Sequence, residues 1–131
     1  MIRDQETINQ LVDMIERFVR ERLIPAEQQL AEEGKLPDDI LREMKELGLF
    51  GLTIPEEYGG FSKDFNSSML ITEVLGAGHS FSVALTAHTG IGTLPILYFG
   101  NEDQKKKYLP KLATGEWKAA YCLTEPGSGS D

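Results

Sequence analysis

The sequence predicts an all-α domain of five to six helices that runs into a single β-strand at its end. Three observations carry this. Apolar residues recur at spacings of three and four along most of the chain, as one buried face of a helix requires. Proline and glycine punctuate those stripes where helices start and stop. Only after Gly115 does the pattern change, to a short aromatic-containing stretch bounded by turn residues.

The first helix spans Asp4–Leu23, with Ile8, Leu11, Val12, Ile15, Val19 and Leu23 on one stripe and charges opposite. Pro25 interrupts it, because proline lacks an amide N–H and crowds the preceding turn. A shorter polar helix follows over Ala26–Glu33, before Gly34. The next helix opens near Pro37-Asp38-Asp39, since proline suits a first turn and early carboxylates favour the positive end of the helix dipole. Its stripe is Ile40, Leu41, Met44 and Leu47, and Gly48 is the expected left-handed residue just past its end. Pro55, Gly59 and Gly60 make the following segment a loop.

Another helix is expected over Phe65–Leu75, packing Met69, Leu70 and Val74, with Gly76–Ser80 loosening its end. A helix over Ser82–Phe99 is rich in Ala, Gly and Thr, so a neighbouring backbone or a ligand can come close, and Pro95 should kink it. Phe81–Phe99 carries no formal charge over 19 residues, about the length of a membrane span. Its apolar residues are interrupted by His88, two glycines, Pro95 and three threonines, which favours a helix buried in a globular domain. The last helix has the clearest start: Asn101 with Gln104 three residues on forms a capping box, and Glu102 and Asp103 occupy the first turn. Pro110 should bend its final turn, and Gly115 ends it. Trp117–Thr124 then reads as a strand, and Pro126–Asp131 as a turn. A lone strand leaves its backbone groups unpaired, so the chain is expected to be a piece of a longer protein.

The chain has 131 residues, enough for one domain with a core. It carries 21 acids and 13 bases, for a net charge of −8. Such a surface repels phosphate backbones and anionic lipid, which argues against nucleic-acid and membrane-surface roles. The excess lies in residues 1–57, with 14 acids and 7 bases, so the nearly neutral remainder is the better place for a buried site. Cys122 is the single cysteine and His79 and His88 the two histidines, so neither a disulfide nor a Cys- or multi-His metal site is expected.

Pro126-Gly-Ser-Gly-Ser-Asp131 is the most chemically informative segment. Its glycines let successive N–H groups converge on an oxygen anion, and Ser128 and Ser130 add hydroxyls. It is not a P-loop, since no Gly-Lys-Ser/Thr follows, and Ser128 lacks the frame of a nucleophile elbow. Taken alone, an ordinary Gly-Ser surface turn is the better explanation.

The unit Tyr121-Cys-Leu-Thr-Glu-Pro-Gly-Ser-Gly-Ser-Asp131 resembles the signature of the acyl-CoA dehydrogenase family of flavoproteins. Three further segments are similar to family segments, in the same order: Ile54-Pro-Glu-Glu-Tyr-Gly-Gly60, Phe99–Pro110 and Gly115-Glu-Trp-Lys-Ala-Ala120. The resemblance implies that residues 1–115 are the N-terminal helical domain and that residues 116–131 begin a middle β-barrel whose remainder is missing. It implies FAD as cofactor, bound between that barrel and a C-terminal helical bundle. It also implies oxidation of acyl-CoA to trans-2-enoyl-CoA with hydride transfer to the flavin, electron-transferring flavoprotein as redox partner, and a homotetramer. The implied location is cytoplasmic, or the mitochondrial matrix for a processed eukaryotic chain.

Residue by residue, the resemblance places Tyr121, Cys122, Leu123 and Thr124 along the flavin ring, with the Thr124 hydroxyl at its pyrimidine edge. Gly129 lets the backbone approach closely, Ser130 lies near the pyrophosphate and the thioester, and Asp131 is structural. Val83, Ala84, Ala87 and Ile91 share a helix face that lines the far end of the acyl pocket. The family's base lies in the C-terminal domain, so Glu125 is not that base and no catalytic residue is named. His88 reads as pocket-lining or buried, His79 as exposed or capping, Lys105–Lys107 as a solvated face, and Cys122 as a small apolar side chain. Two other readings stand beside this one: an oxidase on the same flavin scaffold, and a non-enzymatic helical interaction module. Bound flavin in a longer protein separates the last from the other two.

Overall fold

A computed structural model of the chain describes residues 5–61 and 65–129. Helix α1 is Gln5–Phe18, and the helical path continues without a break through a π-turn at Val19–Leu23 into α2, Ile24–Glu33. Pro25 therefore does not interrupt the helix. The Ile24 N–H bonds to the Val19 carbonyl, one residue further back than in an α-turn. That wider turn gives the proline ring room and needs no donor from it. Gly34 ends α2 at φ 63°. Helix α3 is Asp38–Glu46, followed by left-handed Gly48 as expected. Short 3-10 turns at Leu49–Gly51 and Glu56–Tyr58 fill the loop.

Helix α4 is Phe65–Leu75, at the expected bounds, but its packed face differs from the expected one. Ser67, Ile71 and Leu75 are buried, four residues apart, while Met69 and Leu70 are exposed and Val74 packs at the core's edge. After a 3-10 turn at Gly76–Gly78, α5 spans His79–Ala87. Exposed His79 starts it at φ 44°, and the Glu27 carboxylate of α2 accepts from the Ser80 hydroxyl in that first turn. A second π-turn, His88–Gly92, leads to α6, Leu94–Phe99, with Pro95 in its first turn. A π-turn again precedes a proline. Helix α7, Glu102–Ala113, carries the expected capping box: Asn101 accepts from the Gln104 N–H, and the Gln104 side chain accepts from the Asn101 N–H, both at 2.9 Å. It continues through Pro110, and Gly115 follows at φ 68°.

The main core is built by Ile15, Val19 and Leu23 from the first stripe, Ile40 and Met44 from α3, Ile71 and Leu75 from α4, and Phe81 and Leu85 from α5. A smaller cluster around Ile54, Leu109 and Leu112 seats α7 against α6. Arg22, inside the first π-turn, bonds Glu43 and Asp39 of α3, which pushes its already high pKa further up, Glu43 contributing most.

Among the described residues there is no β-strand. Residues 118–124 have no regular secondary structure and no strand partner, and among the described residues the only isolated bridge joins Glu125 to Ser128 across Pro126-Gly127. The expected strand over Trp117–Thr124 has no partner here, and a ladder needs two sides.

Candidate functional site

Two groups of residues singled out by the sequence stand on neighbouring parts of the fold. The first is the outer face of α5 and the π-turn that follows. Val83 is 71% exposed and Ile91 55%, while Ala84 and Ala87 are half-buried between them. Ser82, Val83, Thr86, Ala87 and Ile91 line an open apolar groove of about 310 Å³, and Val83 and Ala84 also border a second depression running to Gly76 and His79. The stretch expected to be a buried helix is thus buried on one face only. Phe81, Leu85, His88 and Thr93 point inward, and the opposite face is apolar and open.

The second group is the terminal segment. Tyr121, Cys122, Leu123, Thr124 and Gly129 are all exposed. Glu125 and Ser128 exchange backbone hydrogen bonds at 3.0 and 3.1 Å, closing a turn over Pro126-Gly127. A Cβ placed at Gly127 or Gly129 would meet nothing within 4 Å, so a ligand could reach the backbone from either side. Ser130 and Asp131 lie outside the described residues.

The two groups meet at Gly92 and His88. A Cβ at Gly92 would lie 2.6 Å from that of Ala119, so the segment crosses the π-turn at a distance only glycine permits. His88 is 2% exposed, with its ring edge-on to Phe50 at a centroid distance of 4.9 Å. The Ala119 N–H donates to His88 Nδ1 at 3.0 Å. That bond fixes the proton on Nε2, which donates to the Leu112 carbonyl at 3.1 Å. Burial holds the imidazole pKa below its ordinary value, only partly offset by the Leu112 bond. His88 is therefore the buried histidine the sequence indicated. Its two partners, 24 and 31 residues away, were not legible, because nothing local marks them.

Hydroxyls brace the π-turn. Thr93 Oγ1 donates to the His88 carbonyl at 2.6 Å, Thr89 Oγ1 to Leu85 at 3.0 Å, and Thr53 Oγ1 crosses from the loop to the Thr89 carbonyl at 3.0 Å. Lys111 lies over the Trp117 ring at 4.4 Å, and the Trp117 N–H bonds the Lys111 carbonyl at 3.0 Å, which turns the chain off α7 toward His88. No group of three or more His, Cys, Asp or Glu that could hold a metal occurs among the described residues.

A family model described as the acyl-CoA dehydrogenase N-terminal domain matches residues 5–116. The chain belongs to the acyl-CoA dehydrogenase family. A probable acyl-CoA dehydrogenase of Bacillus subtilis is 61% identical over 92 residues, 70% of this chain and 16% of that protein. The very long-chain specific mitochondrial enzyme of Macaca fascicularis is 44% identical over 96% of this chain and 19% of its own length. The crystal structure of a Bacillus anthracis acyl-CoA dehydrogenase complexed with FAD superimposes with a TM-score of 0.86 at 46% identity, covering 98% of this chain and 23% of that one. This acyl-CoA dehydrogenase domain thus spans less than a quarter of each of these three relatives. Its helical architecture is that of the family.

Proposed function

We propose that the chain is the N-terminal part of a flavin-dependent acyl-CoA dehydrogenase, which oxidises an acyl-CoA thioester to trans-2-enoyl-CoA. The observation that carries this reading is the exposed segment Tyr121–Gly129, which stands off a family helical domain and ends in an open Pro-Gly-Ser-Gly turn. Residues 1–115 are then the N-terminal domain and 116–131 the start of the middle β domain, whose further strands would pair residues 118–124.

The residues present suit one wall of an FAD site. Residues 120–124 carry backbone donors that no hydrogen bond occupies among the described residues, and Thr124 adds an exposed hydroxyl. Gly129, and Ser130 beyond it, offer close backbone approach and a hydroxyl for a pyrophosphate. Bound FAD supplies the hydride acceptor. Thr124 and the neighbouring N–H groups hold donors where reduction places negative charge, and fixed donors need no reorganisation at that moment. Glu125 sits exposed in the turn, bonded through its backbone, and is assigned no proton. The base belongs to the part of the enzyme beyond this chain, and the full-length parent is proposed to be a homotetramer. Electron-transferring flavoprotein is the proposed acceptor of the electrons, and the α5 groove the far end of the acyl site.

The test is single-turnover reduction of the flavin in the full-length parent enzyme by acyl-CoA. The parent should purify with flavin, and Thr124→Val should slow reduction about a hundredfold while the fold is kept, the usual cost of one preorganised donor. A parent without flavin, or an unchanged rate in the variant, overturns the reading.

A further inference from the structure

We infer that His88 is a positioning residue for the flavin-facing segment: it holds Ala119 through Nδ1 while its Nε2 is fixed on the last turn of α7. The inference rests on the flavin reading above.

The segment leaves the helical body at Trp117, whose N–H is held by Lys111, and is held a second time at Ala119 by His88. Beyond Ala119, no hydrogen bond joins residues 120–124 to the helical body among the described residues. The His88 bond is thus the last fixed point before Tyr121. Tyr121 is two residues further on with no intervening bond to the helical body, so a shift at Ala119 carries directly into the start of that segment. The anchor is itself rigid. The ring is buried against Phe50, both nitrogens are used, and the backbone beneath it is tied by Thr93. Gly92 sets the approach from the other side, since any side chain there would push Ala119 away. A displacement of about 1 Å is enough to cost about a hundredfold where reacting groups must align.

A histidine that only stabilised the fold would show its two bonds as interchangeable. A positioning histidine would not, and two substitutions separate the cases. In His88→Asn the side-chain oxygen can stand where Nδ1 stood and accept from Ala119, while the bond to Leu112 is lost. In His88→Gln the amide nitrogen can reach the Nε2 position and donate to Leu112, while the acceptor for Ala119 is lost.

In the flavin-loaded parent, His88→Gln should shift the flavin absorption band, raise hydrogen exchange in the peptide containing Ala119, and slow reduction about tenfold. His88→Asn should stay within about twofold of wild type, tenfold being roughly what one hydrogen bond is worth. Gly92→Ala, which leaves His88 intact and displaces Ala119, should reproduce the band shift and decides the matter if His88→Gln does not fold. Two His88 variants that behave alike, or a Gly92→Ala enzyme with an unshifted band, overturn the positioning role while the flavin reading stands. A parent that holds no flavin overturns both.

Discussion

His88 joins the packing of the domain to its response to pH. Burial lowers its pKa in the folded state, and the Leu112 bond opposes that only in part. Above about pH 6.5, the ordinary value, the ring is neutral in both folded and unfolded chains, and the anchor contributes in full. As pH falls below that value the unfolded chain takes up a proton that the folded chain refuses, so stability declines until the lowered folded value is passed. Protonation would also turn Nδ1 into a donor facing the Ala119 N–H. Asp39, whose pKa is lowered first by the Ile40 N–H and also by Arg22, titrates below the usual carboxylate range and so outside this window. Urea midpoints at pH 7.5 and 5.5 should therefore fall more steeply for the wild-type chain than for His88→Asn; parallel behaviour would assign the slope to other groups. The sequence placed His88 on a helix of small residues, and that much was sound. The second half of its role was closed to sequence, because a ring nitrogen's partner is set by tertiary packing.

At the scale of elements, ends were legible and interiors less so. Capping is local chemistry, so Asn101 with Gln104, Pro37 before Asp38, and Gly48 after α3 all stand where their residue types put them. Asn101→Ala removes the side-chain acceptor of the box on α7, leaving the backbone N–H of residue 101 to the Gln104 side chain, and should lower stability by about 1 kcal/mol, read as a reduced midpoint of thermal unfolding with helix content kept. Asn101→Asp should restore most of it, since a carboxylate accepts the same N–H and faces the positive end of the helix. The two π-turns were not legible. Pro25 predicted a break and Pro95 a kink; each proline follows a widened turn, and at Pro25 the path stays helical where a break was expected. The choice between breaking and widening depends on what packs against the turn: Val19 and Leu23 in one case, His88 and Thr93 in the other, all buried. The face of α4 failed for a related reason. Met69 and Leu70 are as apolar as the residues that are buried, but the register that buries Ile71 and Leu75 brings in Ser67 and leaves those two outside. The strand failed because pairing needs a second strand, which no property of Trp117–Thr124 can supply.

Over the whole molecule, Val83, Ile91, Tyr121 and Leu123, proposed to face substrate and flavin, belong to an apolar surface left open that also includes Tyr98, Phe99 and Met69. Ser67–Phe99 has the length and apolarity of a membrane span by composition, is cut by 3-10 and π-turns, and leaves most of its most apolar stretch open, with 28% of it buried. Under the proposed function, its outer face and the exposed terminal segment are the surfaces that the rest of the enzyme covers. One wall of a site supplies only part of the binding contacts. The 131-residue chain mixed with FAD should therefore emerge from a desalting column free of flavin, and stoichiometric co-elution would show that the chain holds the cofactor unaided. The same face bears on substrate length. Ala84 and Ala87 leave a hollow between Val83 and Ile91, and the groove over Ala87 is apolar and unobstructed. Small side chains at the far end of an acyl site leave it deep, which favours medium-to-long straight-chain acyl-CoA. Close helix packing would also call for alanines, and Ala87→Phe in the parent distinguishes the two. A phenyl ring fills the groove, so kcat/KM should fall for long chains and hold for short ones, by about 1 kcal/mol, or fivefold, for each methylene that no longer fits. An equal loss at every chain length would mean that the face packs against protein and that chain length is set elsewhere in the enzyme.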